Sequence, residues 1–294
     1  MSILVIGKTG QLARALSREL SGQDATFLDR SAFDLSAEPD ELRRILDGGD
    51  VPAAIINAAA YTAVDAAQSD EMTAHNVNAR APKILAEYCA QHDIPLIHVS
   101  TDYVFNGEKR MPYVPSDQVD PLGVYGATKL AGEQNILQSG CKGAILRTSW
   151  VYDGYGKNFL TTMLRLAESR TELRVVEDQI GRPTYTGDLA KACITAAEHG
   201  QKAAGPAKIY HVSNTGVPTS WAGFAQAIFE SAAEHLPHVM NVTGIPSHEY
   251  PTPAKRPSFS VMDCSDFERD MDVNLRDWTA GMDDAITEWT TQKQ

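Results

Sequence analysis

Ile3-Leu4-Val5-Ile6-Gly7-Lys8-Thr9-Gly10-Gln11-Leu12-Ala13 decides the fold. Its first four residues are apolar and mostly branched, the composition of a strand buried on both faces of a parallel sheet. Glycines at 7 and 10 break the strand, and Leu12 to Leu20 resumes as a helix with apolar positions at Leu12, Ala13, Leu16 and Leu20. Strand, glycine turn and helix together let a diphosphate approach bare backbone N–H groups at a helix N-terminus. The spacing is Gly-x-x-Gly-x-x-Ala, with Ala13 where a third glycine often packs helix on strand, and alanine is small enough for that contact. A P-loop needs Gly-Lys-Ser/Thr after a four-residue spacer, which this turn lacks. An ordinary strand-to-helix turn has the same outline, so Gly7, Gly10, Gln11 and Leu12 become cofactor candidates through the downstream segments of the chain.

A second strand, Ala25-Thr26-Phe27-Leu28, delivers Asp29-Arg30 to the position where a dinucleotide fold reads the adenine ribose. An acid there accepts from ribose hydroxyls and an arginine receives a 2′-phosphate, so both NADH and NADPH stay open. Asp34-Leu35 either flanks the adenine or forms a turn or cap ahead of Pro39. The next strand runs from Ala53 to Asn57 into small residues, Ala58-Ala59-Ala60, that allow a ring or ribose close to the backbone.

The strand Pro95 to Ser100 brings Thr101-Asp102-Tyr103 to its carboxyl end, the edge at which open parallel sheets hold ligands. Tyr125-Gly126-Ala127-Thr128-Lys129 opens a helix, and the i, i+4 spacing sets Tyr125 and Lys129 on one face. A tyrosine has a reference pKa of about 10. A lysine ammonium one turn away favours the phenolate, which predicts a lower value for Tyr125. Thr101 then supplies a second hydroxyl for the oxygen that Tyr125 protonates. A surface helix with an unrelated Tyr and Lys is the plain alternative. A later strand, Ala144 to Ser149, carries Trp150 to the same edge, either as a core aromatic or as a platform for a sugar or base.

Several blocks together resemble one family. Gly7 to Leu12, Asn57 to Asp65, Ser100-Thr101-Asp102-Tyr103-Val104-Phe105, Tyr125 to Lys129, Arg147 to Tyr152, Asp178 to Thr184 and Tyr250 to Pro257 are similar to the dTDP-4-dehydrorhamnose reductases, extended short-chain dehydrogenase/reductases. Tyr-x-x-x-Lys marks only the superfamily, whereas Thr-Asp-Tyr-Val-Phe and Arg-Thr-Ser-Trp-Val-Tyr mark this branch. The resemblance implies NAD(P)H-dependent reduction of the 4-keto group of dTDP-6-deoxy-L-lyxo-4-hexulose to dTDP-L-rhamnose, the last step of a cell-surface sugar pathway. It implies Tyr125 as proton donor, Lys129 on the nicotinamide ribose, and Thr101 on the substrate. Gly10-Gln11-Leu12 would meet the diphosphate, Asp29, Asp34 and Leu35 the adenosine end, and Ala60, Tyr61 and Thr62 the middle of the cofactor. Asp102, Tyr103 and Trp150 would lie beside the sugar nucleotide. Tyr61 stands where the family often has histidine. The family also implies magnesium, for which the spacing of the carboxylates offers no ligand set.

Sugar-nucleotide 4,6-dehydratases carry Asp-Glu after the strand-end threonine, and here the pair is Asp102-Tyr103, without the glutamate base that elimination needs. A 4-epimerase would need only the Thr, Tyr and Lys groups. A non-catalytic regulatory subunit, such as that of methionine adenosyltransferase, would be marked by an eroded set, and here Thr101, Tyr125 and Lys129 are all present.

With 294 residues and 43% hydrophobic content the chain can bury a large core. A formal charge of −12 argues against nucleic acid as a partner. Cys89, Cys141, Cys193 and Cys264 form no Cys-x-x-Cys pair, which suits a reducing cytoplasm. The first residues enter a strand at once, and no apolar run reaches the roughly 18 residues of a membrane span, so neither a signal peptide nor a membrane partner is expected. The expected architecture is α/β: a Rossmann-type doubly wound parallel sheet from 1–150 plus about 184–213, and a smaller C-terminal α/β substrate lobe from about 151–183 plus 214–294. Lys255 and Arg256 in the late proline-rich run are candidates for the substrate diphosphate, with a solvated charge pair as the alternative. A homodimer is the expected assembly.

Overall fold

Short apolar strands whose alternate residues are claimed by two different cores organise the larger part of the molecule. In the computed structural model, which describes residues 2–292, β1 (Ile3–Ile6), β2 (Ala25–Leu28), β3 (Ala54–Asn57), β4 (Leu96–Thr101) and β5 (Gly143–Thr148) run parallel in one sheet. Val5, Ile56, Ile97, Ala144 and Leu146 point to one face, and Ile6, Ile55, Leu96 and Ile145 to the other. Both sets pack under helices, which is why the strands read as continuous apolar runs. The first face is covered by α1 (Gln11–Glu19) through Leu12, Ala15 and Leu16. The second is covered by α2 (Pro39–Asp47) through Leu42 and Leu46. Two short helices, α3 (Val64–Ala67) and α4 (Glu71–His75), lead to α5 (Ala81–Gln91), which adds Ile84 and Leu85 to that face. Each such side chain taken fully out of water contributes about 1.5–3 kcal/mol. Helix α6 (Val124–Ser139) comes next and ends at Gly140, whose φ of 71° stops it in the left-handed region.

Beyond β5 the chain leaves the sheet. The short β6 (Val151–Tyr152), α7 (Phe159–Leu166), β7 (Glu172–Val176), β8 (Ile180–Gly181) and β9 (Thr184–Tyr185) come first. Helix α8 (Thr186–Lys202) then returns to the first face, and β10 (Lys208–His211) completes the sheet in the order β10-β5-β4-β3-β1-β2. The remaining elements are β11 (Thr219–Ser220), α9 (Trp221–Ser231), β12 (Asn241–Ile245), α10 (Ser265–Met271) and α11 (Trp278–Thr291). Strand pairs β6-β9, β7-β12 and β8-β11 belong to this smaller part. Its own core holds Tyr152, Leu160, Leu164, Phe224, Ile228 and Trp278.

The expected doubly wound parallel sheet with a smaller α/β part is therefore what the chain builds. One stretch sits differently: α10, placed by the sequence in the smaller lobe, packs Phe267 and Met271 into the core of the large sheet. The reason is local, because β10 is an edge strand and Phe267 meets Tyr210 of that strand edge-to-face, 5.7 Å between ring centres. Among the described residues no helix is long and apolar enough to cross a membrane.

Candidate active site

The carboxyl ends of β1 to β5 bring Gly7, Asp29, Ala58-Ala59-Ala60, Thr101 and Trp150 to one edge of the sheet. Gly7, at the end of β1, has a φ of 116°, and a Cβ added there would meet Ala58, Ala13 and Ala59 at 3.5–3.6 Å. Only glycine adopts that backbone without strain. Ala13 is fully buried and packs helix on strand. Helix α1 starts after Gly10, which gives no side-chain cap and faces open space, and its first turn carries no acidic residue. Its leading N–H groups and partial positive charge suit a dinucleotide diphosphate. The buried Gln11 Oε1 has no hydrogen-bond partner among the described residues. Leu12 and Leu35 are core side chains, so only their backbones are available to a ligand.

Asp29 holds a tight turn, its Oδ1 accepting from the Ser31 N–H at 2.9 Å and from the Ala32 N–H at 3.2 Å. These hydrogen bonds, led by that from the Ser31 hydroxyl, keep its carboxyl below the usual range. Arg30 is largely exposed and pairs with Asp34 at 3.1 Å. Asp34 also accepts from Ser36, so it makes a turn rather than capping α2, whose N-cap is Glu38. Past β3, Tyr61 is held by a residue that sequence reasoning did not single out. The Asn78 amide accepts from the Tyr61 N–H at 2.9 Å and donates to the Tyr61 carbonyl at 3.1 Å and to the Thr128 hydroxyl at 3.2 Å. Asn78 lies in a π-helical turn, 76–80, and ties the Ala60-Tyr61-Thr62 stretch to α6. Such a turn has no simple sequence signature.

At the end of β4 the Thr101 hydroxyl donates to Asp102 at 3.0 Å, accepts from the Tyr103 N–H at 3.2 Å, and stands near enough to Tyr125 to favour its phenolate. Tyr103 stands edge-on to Tyr125, 5.5 Å between ring centres. Helix α6 is pressed onto this edge by two glycines: a Cβ on Gly126 would lie 2.2 Å from the Tyr103 carbonyl, and one on Gly132 2.1 Å from that of Asn78. Glu133 on the same helix makes a bidentate pair with Arg147 of β5 at 2.7 and 3.0 Å and accepts from Ser100 at 2.5 Å.

Lys129 is buried on the same helix, against β4. Its Nζ lies 2.7 Å from the Val99 carbonyl and 3.1 Å from His98 Nε2. The expected fall in the Tyr125 pKa is absent. Burial pushes Tyr125 up to about 12, opposed by the Thr101 hydroxyl and reinforced by Asp102. Burial likewise brings Lys129 down to about 8, with Glu133 opposing. Desolvation outweighs the charge effect because both groups leave water. Asp102 is driven up to about 6 by the same cause.

Two candidates are engaged within the protein. Trp150, at a φ of 50°, stacks on Trp221 at 3.7 Å and 9° and packs against Gly181, so one ring face is taken rather than offered to a sugar. Arg256 grips Asp65 at 2.9 and 3.1 Å and reaches the Ala254 carbonyl at 2.9 Å. Its guanidinium is thus spent on a carboxylate instead of standing free for a phosphate. Among the described residues no group of three or more His, Cys, Asp or Glu is arranged to hold a metal ion.

Residues 1–291 match the family model described as RmlD substrate binding domain. The dTDP-4-dehydrorhamnose reductase of Sinorhizobium fredii is 41% identical over 281 residues, spanning 95% of this chain and 94% of that protein. Among solved structures, a dTDP-4-dehydrorhamnose reductase from Clostridium acetobutylicum superposes with a TM-score of 0.89 at 33% identity, over 98% of this chain and 99% of that one. The dTDP-4-dehydrorhamnose reductase of Bacillus anthracis, solved in complex with NADP, gives the same TM-score and identity over 98% of this chain and 100% of that one.

Proposed function

Because the chain belongs to the RmlD substrate binding domain family, we propose that it is an NAD(P)H-dependent oxidoreductase that reduces the 4-keto group of dTDP-4-dehydro-L-rhamnose to give dTDP-L-rhamnose, the final step of dTDP-rhamnose biosynthesis. The observation that carries this reading is the placement of two hydroxyl-bearing residues, Thr101 at the end of β4 and Tyr125 at the start of α6, beside each other at the sheet edge that also bears the uncapped glycine turn. Two neighbouring hydroxyls suit a single carbonyl oxygen.

A bound reduced nicotinamide supplies the hydride. The backbone of Gly10, Gln11 and Leu12 takes the diphosphate, with Gly7 allowing the close turn. Asp29 and Arg30 meet the adenosine end, where the acid suits ribose hydroxyls and the guanidinium a 2′-phosphate. Ala60, Tyr61 and Thr62 line the middle of the cofactor. Tyr125 delivers its proton to the C4 oxygen while the Thr101 hydroxyl turns its one proton from Asp102 to that oxygen. A phenol held near 12 is fully protonated at neutral pH, the form a donor requires. Lys129 orients the nicotinamide ribose, and Asp102 and Tyr103 bound the sugar pocket. Residues 1–150 with about 184–213, joined by α10, form the dinucleotide-binding part, and the smaller lobe lies over the sugar nucleotide. Four buried free thiols favour the cytoplasm.

The test monitors nicotinamide absorbance with the keto sugar made in situ from dTDP-glucose, using NADH and NADPH in parallel, with and without magnesium. Oxidation that depends on the keto sugar is expected, and the two rates rank the cofactors. Cofactor binding without oxidation would hand the chain to the epimerase or regulatory-subunit reading. The mass of the same sample in solution tests the homodimer.

A further inference from the structure

Arg14 of α1 holds the glycine turn from behind. Its backbone N–H donates to the Gly10 carbonyl at 3.0 Å, and its Nη1 donates to the Thr9 carbonyl at 2.7 Å. The peptide bonds of the turn are trans. In a trans peptide a carbonyl and the N–H of the next residue point in opposite directions. With the Thr9 and Gly10 carbonyls drawn towards Arg14, the N–H groups of Gly10 and Gln11 face the other side of the turn, where a diphosphate can reach them.

The guanidinium is itself held from the smaller part of the molecule. Its Nη2 donates to Asp153 Oδ2 at 3.0 Å. Asp153, in the loop after β6, is fully buried. Its other oxygen accepts from the Tyr155 N–H at 3.0 Å and from Asn158 Nδ2 at 2.9 Å, which leaves Oδ2 for Arg14. Gly156, at a φ of 69°, lies against the same group, and a Cβ there would meet Arg14 Nη2 at 3.1 Å. Arg14 Nε is buried with no partner among the described residues, so the side chain is fixed through its two terminal nitrogens.

We propose that Arg14 and Asp153 are positioning residues of the cofactor site: Asp153 anchors the guanidinium, and the guanidinium aims the N–H groups of the glycine turn at the dinucleotide diphosphate. This role rests on the dinucleotide site of the reductase reading and not on its chemistry. Neither side chain touches the ligand. A planar guanidinium bridges two acceptors in fixed directions, which the point charge of a lysine does not. Were Arg14 instead to bind the diphosphate with its own charge, freeing it from Asp153 would tighten binding.

Fluorescence titration with NADH and NADPH tests this on the unmodified protein, Asp153→Asn, Arg14→Met and the double variant, with adenosine as a competitor that lacks the diphosphate. Asp153→Asn keeps Oδ1 for Tyr155 and Asn158 and sets an amide NH2 against the guanidinium. Each single variant should weaken the dinucleotide about tenfold, and the double variant about as much, because the two side chains act as one unit. Adenosine should compete as before. Asp153→Asn binding the dinucleotide as tightly as the unmodified protein, or more tightly, overturns the proposal. So does a loss of about a hundredfold in the double variant, or an equal loss of adenosine. If a single variant does not fold, the double variant, which leaves no buried charge unpaired, decides by the same comparison of dinucleotide and adenosine. Cofactor binding without oxidation in the presence of the keto sugar would remove the reductase reading alone.

Discussion

Tyr125 shows how a single side chain is set by competing physical effects. Its partner Thr101 stabilises the phenolate, Asp102 opposes it, and burial dominates both. Tyr125→Phe should bind cofactor as the parent does and lose about 10²–10⁴-fold in kcat, the range for removal of a general acid. Fluorescence titration with NADPH and steady-state rates check the two halves separately, and unimpaired turnover would remove Tyr125 from the mechanism. Asp102 carries its own test. Its carboxyl is held up at about 6, so the native state prefers the protonated form. The associated stability is present below the unfolded value near 4 and is lost as pH rises through 6. Asp102→Asn should match the parent near pH 4 and exceed it by about 3 kcal/mol above pH 6. Urea unfolding at pH 4 and pH 7 measures this, and an equal difference at both would refute the burial origin.

Helix α6 is the element that assembles the site, because it carries Tyr125 and Lys129 and meets its neighbours backbone to backbone. Gly132→Ala would push a methyl to within 2.1 Å of the Asn78 carbonyl. A cost of about 1–3 kcal/mol is expected, with a fall in kcat as α6 moves off the Asn78 clamp. Thermal unfolding and the steady-state kcat report the two effects. The Glu133–Arg147 pair anchors the same helix to β5, with both side chains at most 2% exposed. Glu133→Ala leaves a buried guanidinium without its carboxylate, which should cost about 3–5 kcal/mol. A loss below about 1 kcal/mol would show that Arg147 finds other partners.

Across the whole molecule, ion pairs join segments that are far apart in sequence. Arg14 of α1 bonds the Thr9 carbonyl at 2.7 Å and the fully buried Asp153 at 3.0 Å, tying the glycine turn to the loop after β6. Arg18 reaches Glu288 of α11 at 3.0 Å. Arg256 ties the late proline-rich run to Asp65 behind β3. If Arg256 serves as this tether, Asp65→Ala and Arg256→Ala should raise the KM for the nucleotide sugar to a similar extent, and the double variant no further. A much larger effect of Arg256→Ala alone would restore the direct phosphate contact.

The sheet was legible because its evidence is local: apolar runs of four to six residues, glycines at the turn, and helical spacing between them. Tyr125, Lys129 and Thr101 were legible for the same reason, as residue types at fixed spacings on elements whose direction is known. The sequence by itself therefore determined the α/β class and which residues stand at the carboxyl ends of the strands. Asn78, His98 and the Glu133–Arg147 pair lay beyond it, since each acts through partners distant along the chain. The same holds for the seat of Trp150 against Trp221 and of Arg256 on Asp65. Only the tertiary structure decided which charges these groups carry and which partners they keep. The physical reason is that burial and hydrogen-bond direction are properties of the packed neighbourhood, whereas spacing along the chain fixes only the face on which a side chain begins.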